Sequence, residues 1–127
     1  INANESGSTF LFDRAAGIVY TLPTAQPGLH FDFVVTTTVT SNAAKVITAA
    51  GTELLIGGYT NVDTDTSNAV AAFTANGSTH VSVSMNGTTT GAVAGTKLRF
   101  TCLSSTRWMV EGIVQGTGTV ATAFATS

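Results

Sequence analysis

The chain has 127 residues and a formal net charge of −2, from five basic and seven acidic side chains. A length of about 100–150 residues is typical of one domain, so we expect a single domain over residues 1–127. Five dispersed basic residues cannot form the basic stripe that phosphate binding requires, which excludes a nucleic-acid partner. No apolar run reaches the roughly 18 residues that a membrane-spanning helix needs, so no membrane partner is expected either.

The residue composition favours strands over helices. The chain contains 24 threonines and 13 valines but only seven leucines, and threonine and valine are enriched in strands. Charged residues make up 9% of the chain, whereas an ordinary soluble domain has about 25%. An all-α bundle is therefore excluded.

Short alternating segments separated by turn residues predict about ten strands. In the clearest one, Phe31 and Phe33 point inward while His30 and Asp32 point outward. Short strands at this spacing predict an all-β, single-domain antiparallel sandwich or barrel of jelly-roll-like type. The predicted strands cover residues 8–12, 18–22, 29–37, 45–48, 53–56, 69–74, 80–85, 97–103, 106–112 and 120–124.

The same pattern predicts where turns and loops separate the strands and which side chains form the core. Gly57-Gly58 is expected to end the fifth strand, and residues 61–68 are expected to form a polar loop. Asn76-Gly77 predicts a type I′ hairpin turn between the sixth and seventh strands, because both residues tolerate positive φ. The core is expected to include the large aromatic side chains on the inward faces, namely Phe31, Phe33, Phe100 and Trp108.

Residues that could perform catalysis are few. His30 and Asp32 lie two apart on one strand, a spacing at which a carboxylate could orient an imidazole as a general base. The alternative is that both simply lie on the solvated face of the strand, and we adopt that interpretation. Cys102 falls on the inward face and is expected to be a small buried hydrophobe, and His80 is expected at the surface. We therefore expect no catalytic residue and no enzymatic activity.

Metal and cofactor sites are not predicted. The lone Cys102 excludes an intrachain disulfide and a multi-cysteine zinc site. The segment Asp63-x-Asp65-x-Ser67-Asn68 resembles a calcium loop, but the required glycine and glutamate are missing at the sixth and twelfth positions. A weaker loop site or solvated acids remain as alternatives. Trp108 could be a platform for a sugar, but its alternation with Val110 favours a core position.

The strongest sign of a binding surface is apolar residues on faces that should be solvated. Several such residues on neighbouring strands would form a patch, and patches mark contacts. The uncharged tail, residues 116–127, adds further candidates, because an uncharged segment could lie along a neighbouring subunit. The candidate subunit or capsid contacts are Leu11, Val34, Leu103, Met109, Val120 and Phe124.

Several segments resemble the small β-rich virion proteins of tailed bacteriophages, especially marine and cyanobacterial phages. Near the start these are Glu5-Ser6-Gly7-Ser8-Thr9-Phe10, Asp13-Arg14-Ala15-Ala16-Gly17, Thr21-Leu22-Pro23 and Gly28-Leu29-His30-Phe31-Asp32-Phe33-Val34-Val35. The segments Gly95-Thr96-Lys97-Leu98-Arg99-Phe100 and Arg107-Trp108-Met109-Val110-Glu111-Gly112 resemble the closing hairpin of the same proteins. Each is a turn-and-strand motif, so no catalytic residue is transferred by the resemblance.

The resemblance implies a capsid decoration (cement) protein on the exterior of the virion. Its partners would be the major capsid protein and further copies of itself, and the implied homo-oligomer is a trimer. An alternative is a tail-fibre or spike domain that binds a glycan on the host surface. A glycoside hydrolase is disfavoured, because such enzymes use two acidic groups in one cleft and the chain has only seven acids.

Overall fold

The computed structural model describes residues 1–65 and 70–127, and in them ten strands follow a short 3₁₀ turn at Ala3–Glu5. Their bounds agree with most of the predicted segments to within a few residues. In chain order they are β1 (Thr9–Phe12), β2 (Ile18–Thr21), β3 (His30–Val35), β4 (Ala44–Ile47), β5 (Leu54–Asp63), β6 (Val70–Thr74), β7 (Ser82–Met85), β8 (Lys97–Ser104), β9 (Arg107–Gly116) and β10 (Phe124–Ala125).

The strands form two sheets, which confirms the predicted β-sandwich. One sheet has the order β1-β3-β8-β9-β5-β6 and the other the order β10-β7-β4-β2, and neither closes into a barrel. The sheets are mixed rather than purely antiparallel, because β1 pairs with β3, β2 with β4 and β5 with β9 in parallel. Hydrophobic alternation predicts which face of a strand is buried but not the direction of its neighbour, so the parallel pairs were not foreseen.

One hydrophobic core lies between the sheets, and the four predicted aromatic residues are all in it. Phe31, Phe33, Phe100 and Trp108 are at most 1% exposed. The ring of Phe33 is edge-on to Phe100 at a centroid distance of 5.4 Å, and the ring of Phe31 lies 6.2 Å from Trp108. The alternation of apolar residues therefore predicted the register of the central strands correctly.

The fifth strand is longer than expected, and two predictions there were wrong. Strand β5 continues through Gly57-Gly58 to Asp63, and residues 61–63 of the expected polar loop belong to it. Gly57 adopts a φ of +82° where it faces the backbone of β9, so the pair permits a close approach of two strands instead of ending one. Asn61 is fully buried and donates from Nδ2 to the carbonyl oxygen of Thr89 at 3.3 Å.

Asn76-Gly77 does not close a hairpin, because β6 and β7 belong to different sheets. The turn instead carries the chain from one sheet to the other. The Oδ1 atom of Asn76 accepts hydrogen bonds from the backbone N–H groups of Ser78, Thr79 and His80, at 2.9–3.2 Å. Local side-chain acceptors of this kind stabilise turns without strand pairing.

The tail lies against its own chain and supplies strand β10, which pairs with β7. Phe124 is 6% exposed, and its ring is stacked on the ring of His80 at 5.6 Å. His80, which was expected at the surface, is half-buried with its ring against Phe124. The backbone N–H of Ala123 donates to the hydroxyl oxygen of Tyr59 at 2.6 Å, which holds the tail in place.

Candidate functional site

Four of the predicted contact residues share one surface, the solvent-facing side of the six-stranded sheet. We call this surface the outer face. Leu11 and Val34 are opposite each other on β1 and β3, and Leu103 and Met109 lie on the next two strands. Leu11, Leu103 and Met109 are 37–48% exposed, and Val34 is half-buried. Alternation along each strand places them all opposite the core-facing residues.

Two further apolar residues of the outer face were missed by the sequence analysis. Ile113 is 57% exposed on β9, and Val70 is 64% exposed on β6 at one edge of the sheet. Ile113 was overlooked because the strand was expected to end at Gly112. The continuing alternation of Met109, Glu111 and Ile113 was the signal that could have placed it there.

The tail residues do not belong to this surface. Phe124 is buried in the core of its own chain, so the prediction of an intersubunit contact at this residue was wrong. The short apolar pattern of the tail did not indicate that the ring of Phe124 would lie between Tyr59 and His80. Val120 is half-buried in the segment that leads into β10.

An ion pair crosses the outer face between β3 and β8. The Nε and Nη2 atoms of Arg99 donate to the two carboxylate oxygens of Asp32 at 2.7 and 2.9 Å. These hydrogen bonds from Arg99 lower the pKa of the Asp32 carboxyl group, and burial opposes them more weakly. The two residues are direct neighbours in the antiparallel register. The ion pair therefore balances the charges of Asp32 and Arg99 within the chain.

Because of this ion pair, the environment of Asp32 differs from the one expected for His30 and Asp32. Asp32 is only 9% exposed and is held by Arg99, whereas a solvated carboxylate was expected. His30 is exposed, and its Nδ1 atom lies 3.4 Å from the carbonyl oxygen of Gly28. The histidine and the aspartate therefore do not form the hydrogen-bonded pair that a general base would require.

An open groove of about 470 Å³ lies beside the ion pair, in the middle of the outer face. Within the described part of the chain, the side chains of Lys97 and Glu111 form no hydrogen bond and no salt bridge, but Lys97 attracts Asp32 and Glu111 attracts Arg99 at longer range. These two side chains are the charges of the groove that lack a salt bridge, one of each sign. The groove is lined by Asp32, Lys97, Arg99, Glu111, Gly112 and Ile113.

The remaining sequence candidates are in the interior. Cys102 is buried as predicted, and burial raises the pKa of its thiol, which disfavours the thiolate form that a nucleophile needs. Trp108 is fully buried, which agrees with the core position favoured over a sugar platform. All the aromatic residues lie in the described ranges, and none of them is exposed.

Residues 1–65 and 70–127 contain no group of three acidic, histidine or cysteine side chains placed to hold a metal ion. The backbone N–H of Asp65 donates to Oδ1 of Asp63 at 3.0 Å, and Ser67 and Asn68 of the calcium-like segment lie outside the described residues. In the same residues, no helix has the length and apolar character required to cross a membrane.

Comparison with known proteins gives no relationship on which a family could be assigned. No protein-family model matches the chain, and neither the search of curated proteins nor the search of solved structures gives a significant match.

Proposed function

We propose that the chain is a structural protein of the virion exterior, a capsid decoration protein of a tailed bacteriophage that acts by binding and not by catalysis. The main supporting observation is that the outer face carries two apolar patches, Leu11 with Val34 and Leu103 with Met109. Exposed apolar patches of this kind are typical of surfaces that other proteins cover. On the particle, another protein subunit would cover this face.

The charges of the outer face are of both signs and partly paired with each other, which favours a protein partner. Burying an unpaired ion is costly, and Asp32 and Arg99 are already paired within the chain. A partner would therefore have to accommodate Lys97, Arg107 and Glu111, which form no salt bridge within the described residues, while covering the surrounding apolar side chains. A glycan-binding fibre domain is the alternative, but sugar-binding surfaces commonly use exposed aromatic rings, and every ring here is buried or half-buried.

Decoration would stabilise the shell through mass action. A protein that binds the assembled lattice, and not its separated subunits, shifts the equilibrium toward the assembled state. Three-fold symmetry, which the resemblance implies, would match local three-fold axes of an icosahedral shell and stays a prediction. The major capsid protein is the partner that this role requires.

The copy number of the chain in purified virions tests the proposal. A decoration protein is expected in amounts comparable to the major capsid protein, and a fibre protein in far fewer copies. Virions of the phage that encodes the chain would be separated by electrophoresis and both bands quantified. Absence from the virion, or a fibre-like copy number, would refute the decoration role.

A second experiment tests the role of the outer face. Virions carrying Ile113→Glu are expected to lose the protein and to release DNA at lower temperature than wild type. Val19→Glu is the matched control, because Val19 is 61% exposed on the other sheet. Equal loading and equal heat resistance of the two variants would show that attachment to the particle does not require the outer face.

A further inference from the structure

We infer that the subunit covering the outer face is a second copy of this chain, related by a two-fold axis and not by the three-fold axis that the resemblance implies. The inference rests on the proposal that this face is covered by a protein. Strands β8 and β9 are the middle strands of the sheet, and they contribute Lys97 and Glu111, which have opposite charges and form no salt bridge within the described residues. The centre of the face is therefore complementary to itself.

The strand register defines where the axis would lie. Lys97 is opposite Ile113, and Arg99 is opposite Glu111, so the four residues form a quadrilateral with Lys97 and Glu111 on one diagonal. The other diagonal runs from Arg99 to Ile113. A two-fold axis along this diagonal, in the plane of the interface, brings Lys97 of each copy to Glu111 of the other. Such isologous contacts occur twice in a two-fold dimer.

The side chains along the axis are compatible with this arrangement. Ile113 is 57% exposed and would meet the same residue of the second copy, which removes both apolar side chains from water. Arg99 would also lie near its counterpart, but its charge is already balanced by Asp32 at 2.7 Å. Leu11, Val34 and Met109 would surround the charged centre and exclude water from it.

The size of the face fits a stable dimer. The six strands lie about 4.8 Å apart, and each has on average about seven residues with a rise of about 3.3 Å per residue. The width of the sheet multiplied by this mean strand length gives an area of roughly 700 Å². A standard stable interface buries about 800 Å² on each partner. Face-to-face packing of sheets is also an established way to bury such surfaces. The outer face therefore has the area that a second copy needs.

Charge reversal provides the test, with the mass of the purified chain measured by light scattering and sedimentation across a dilution series. Wild type is expected to have twice the chain mass. Lys97→Glu or Glu111→Lys alone should weaken the dimer by roughly tenfold or more, because each creates two contacts between like charges. The double variant Lys97→Glu/Glu111→Lys should recover dimerisation, since exchanged charges still face each other.

A mixture of the Lys97→Glu and Glu111→Lys variants provides a second test, whose expected result is specific to an interface in which each copy contributes both residues. One copy then has two acidic residues at these positions and the other has two basic ones, so the mixed dimer should be tighter than either single-variant dimer. Val19→Glu is expected to dimerise like wild type. Circular dichroism of each variant would verify that these exposed substitutions leave the fold intact.

A wild-type chain that stays monomeric or forms a trimer would overturn the two-fold arrangement, as would a double variant that does not recover. Failure of the decoration role can be recognised separately, because it concerns the copy number in virions. If Ile113→Glu reduces loading on virions while the charge-reversed double variant does not dimerise, the face binds the capsid and the dimer inference is wrong.

Discussion

The indole Nε1 of Trp108 donates a hydrogen bond to Oε2 of Glu53 at 3.3 Å, in the interior of the protein. The other carboxylate oxygen of Glu53 accepts from the backbone N–H of Ala25 at 3.0 Å. Glu53 is 4% exposed and immediately precedes β5. Its side chain connects the start of β9, through Trp108, to the loop after β2, through Ala25. A single carboxylate therefore satisfies two buried donors from distant parts of the chain.

Replacing Glu53 by alanine should destabilise the protein by about 1–3 kcal/mol for each donor left without an acceptor. Glu53→Gln should cost less, because its amide oxygen can still accept one of the two hydrogen bonds. Urea denaturation of both variants would measure the difference. Equal stabilities of the alanine and glutamine variants would contradict this account of the buried carboxylate.

Phe33→Ala should lower the free energy of unfolding by roughly 3–5 kcal/mol, as expected for removing a buried aromatic ring from a packed core. Phe33 is 1% exposed and packs against the rings of Phe10, Tyr20 and Phe100. Val19→Ala, at an exposed position, is the control and should change the stability by less than about 0.5 kcal/mol. Thermal and chemical denaturation would compare the two, and similar stabilities would rule out the packing described.

The ion pair between Asp32 and Arg99 should make stability depend on pH. The pKa of Asp32 is lower in the folded protein than in the unfolded chain, because Arg99 donates two hydrogen bonds to the carboxylate. The resulting stabilisation is present above the unfolded pKa and is lost as the pH falls through the folded one. Asp32→Asn should therefore be less stable than wild type at neutral pH.

Under acidic conditions, where the carboxyl group is protonated in both states, this difference between wild type and Asp32→Asn should shrink. Denaturation curves of the two proteins, recorded from neutral to strongly acidic pH, would measure it. A difference that is constant over the whole range would show that the ion pair adds no pH-dependent stability.

Two glycines with similar backbone angles should respond differently to substitution by alanine. Gly87 has a φ of +85° and Gly28 a φ of +97°, so both changes introduce backbone strain. At Gly87 the new Cβ would also collide with the backbone of Val39, whereas at Gly28 no atom lies within 4 Å. Gly87→Ala should therefore lower the melting temperature more than Gly28→Ala. An equal decrease in melting temperature for the two variants would show that backbone strain alone causes the effect.

The sequence predicted the faces of the central strands well, because the alternation of residues directly reflects burial. Phe31 and Phe33 on β3, and Phe100 on β8, follow the period of two that a half-buried strand requires. Leu11 and Met109 were also recognised as exposed apolar residues by the same period. These features depend on one strand at a time.

Features that depend on two distant strands were not predictable from such a pattern. Asp32 and Arg99 are 67 residues apart, and they become neighbours only once β3 and β8 pair in the observed register. The continuation of β5 past Gly57-Gly58 depends likewise on its parallel partner β9. Short-range propensity and hydrophobic alternation do not contain this information.

The parallel pairing of β5 with β9 also has a consequence for synthesis on the ribosome. Leu55 is paired with Trp108, so more than fifty residues must be translated after Leu55 before its partner exists. Until then one side of β5 has unpaired backbone groups, which are templates for wrong pairing with another chain. Closing such distant contacts is also slow, so the nascent protein depends on late C-terminal synthesis to complete its larger sheet.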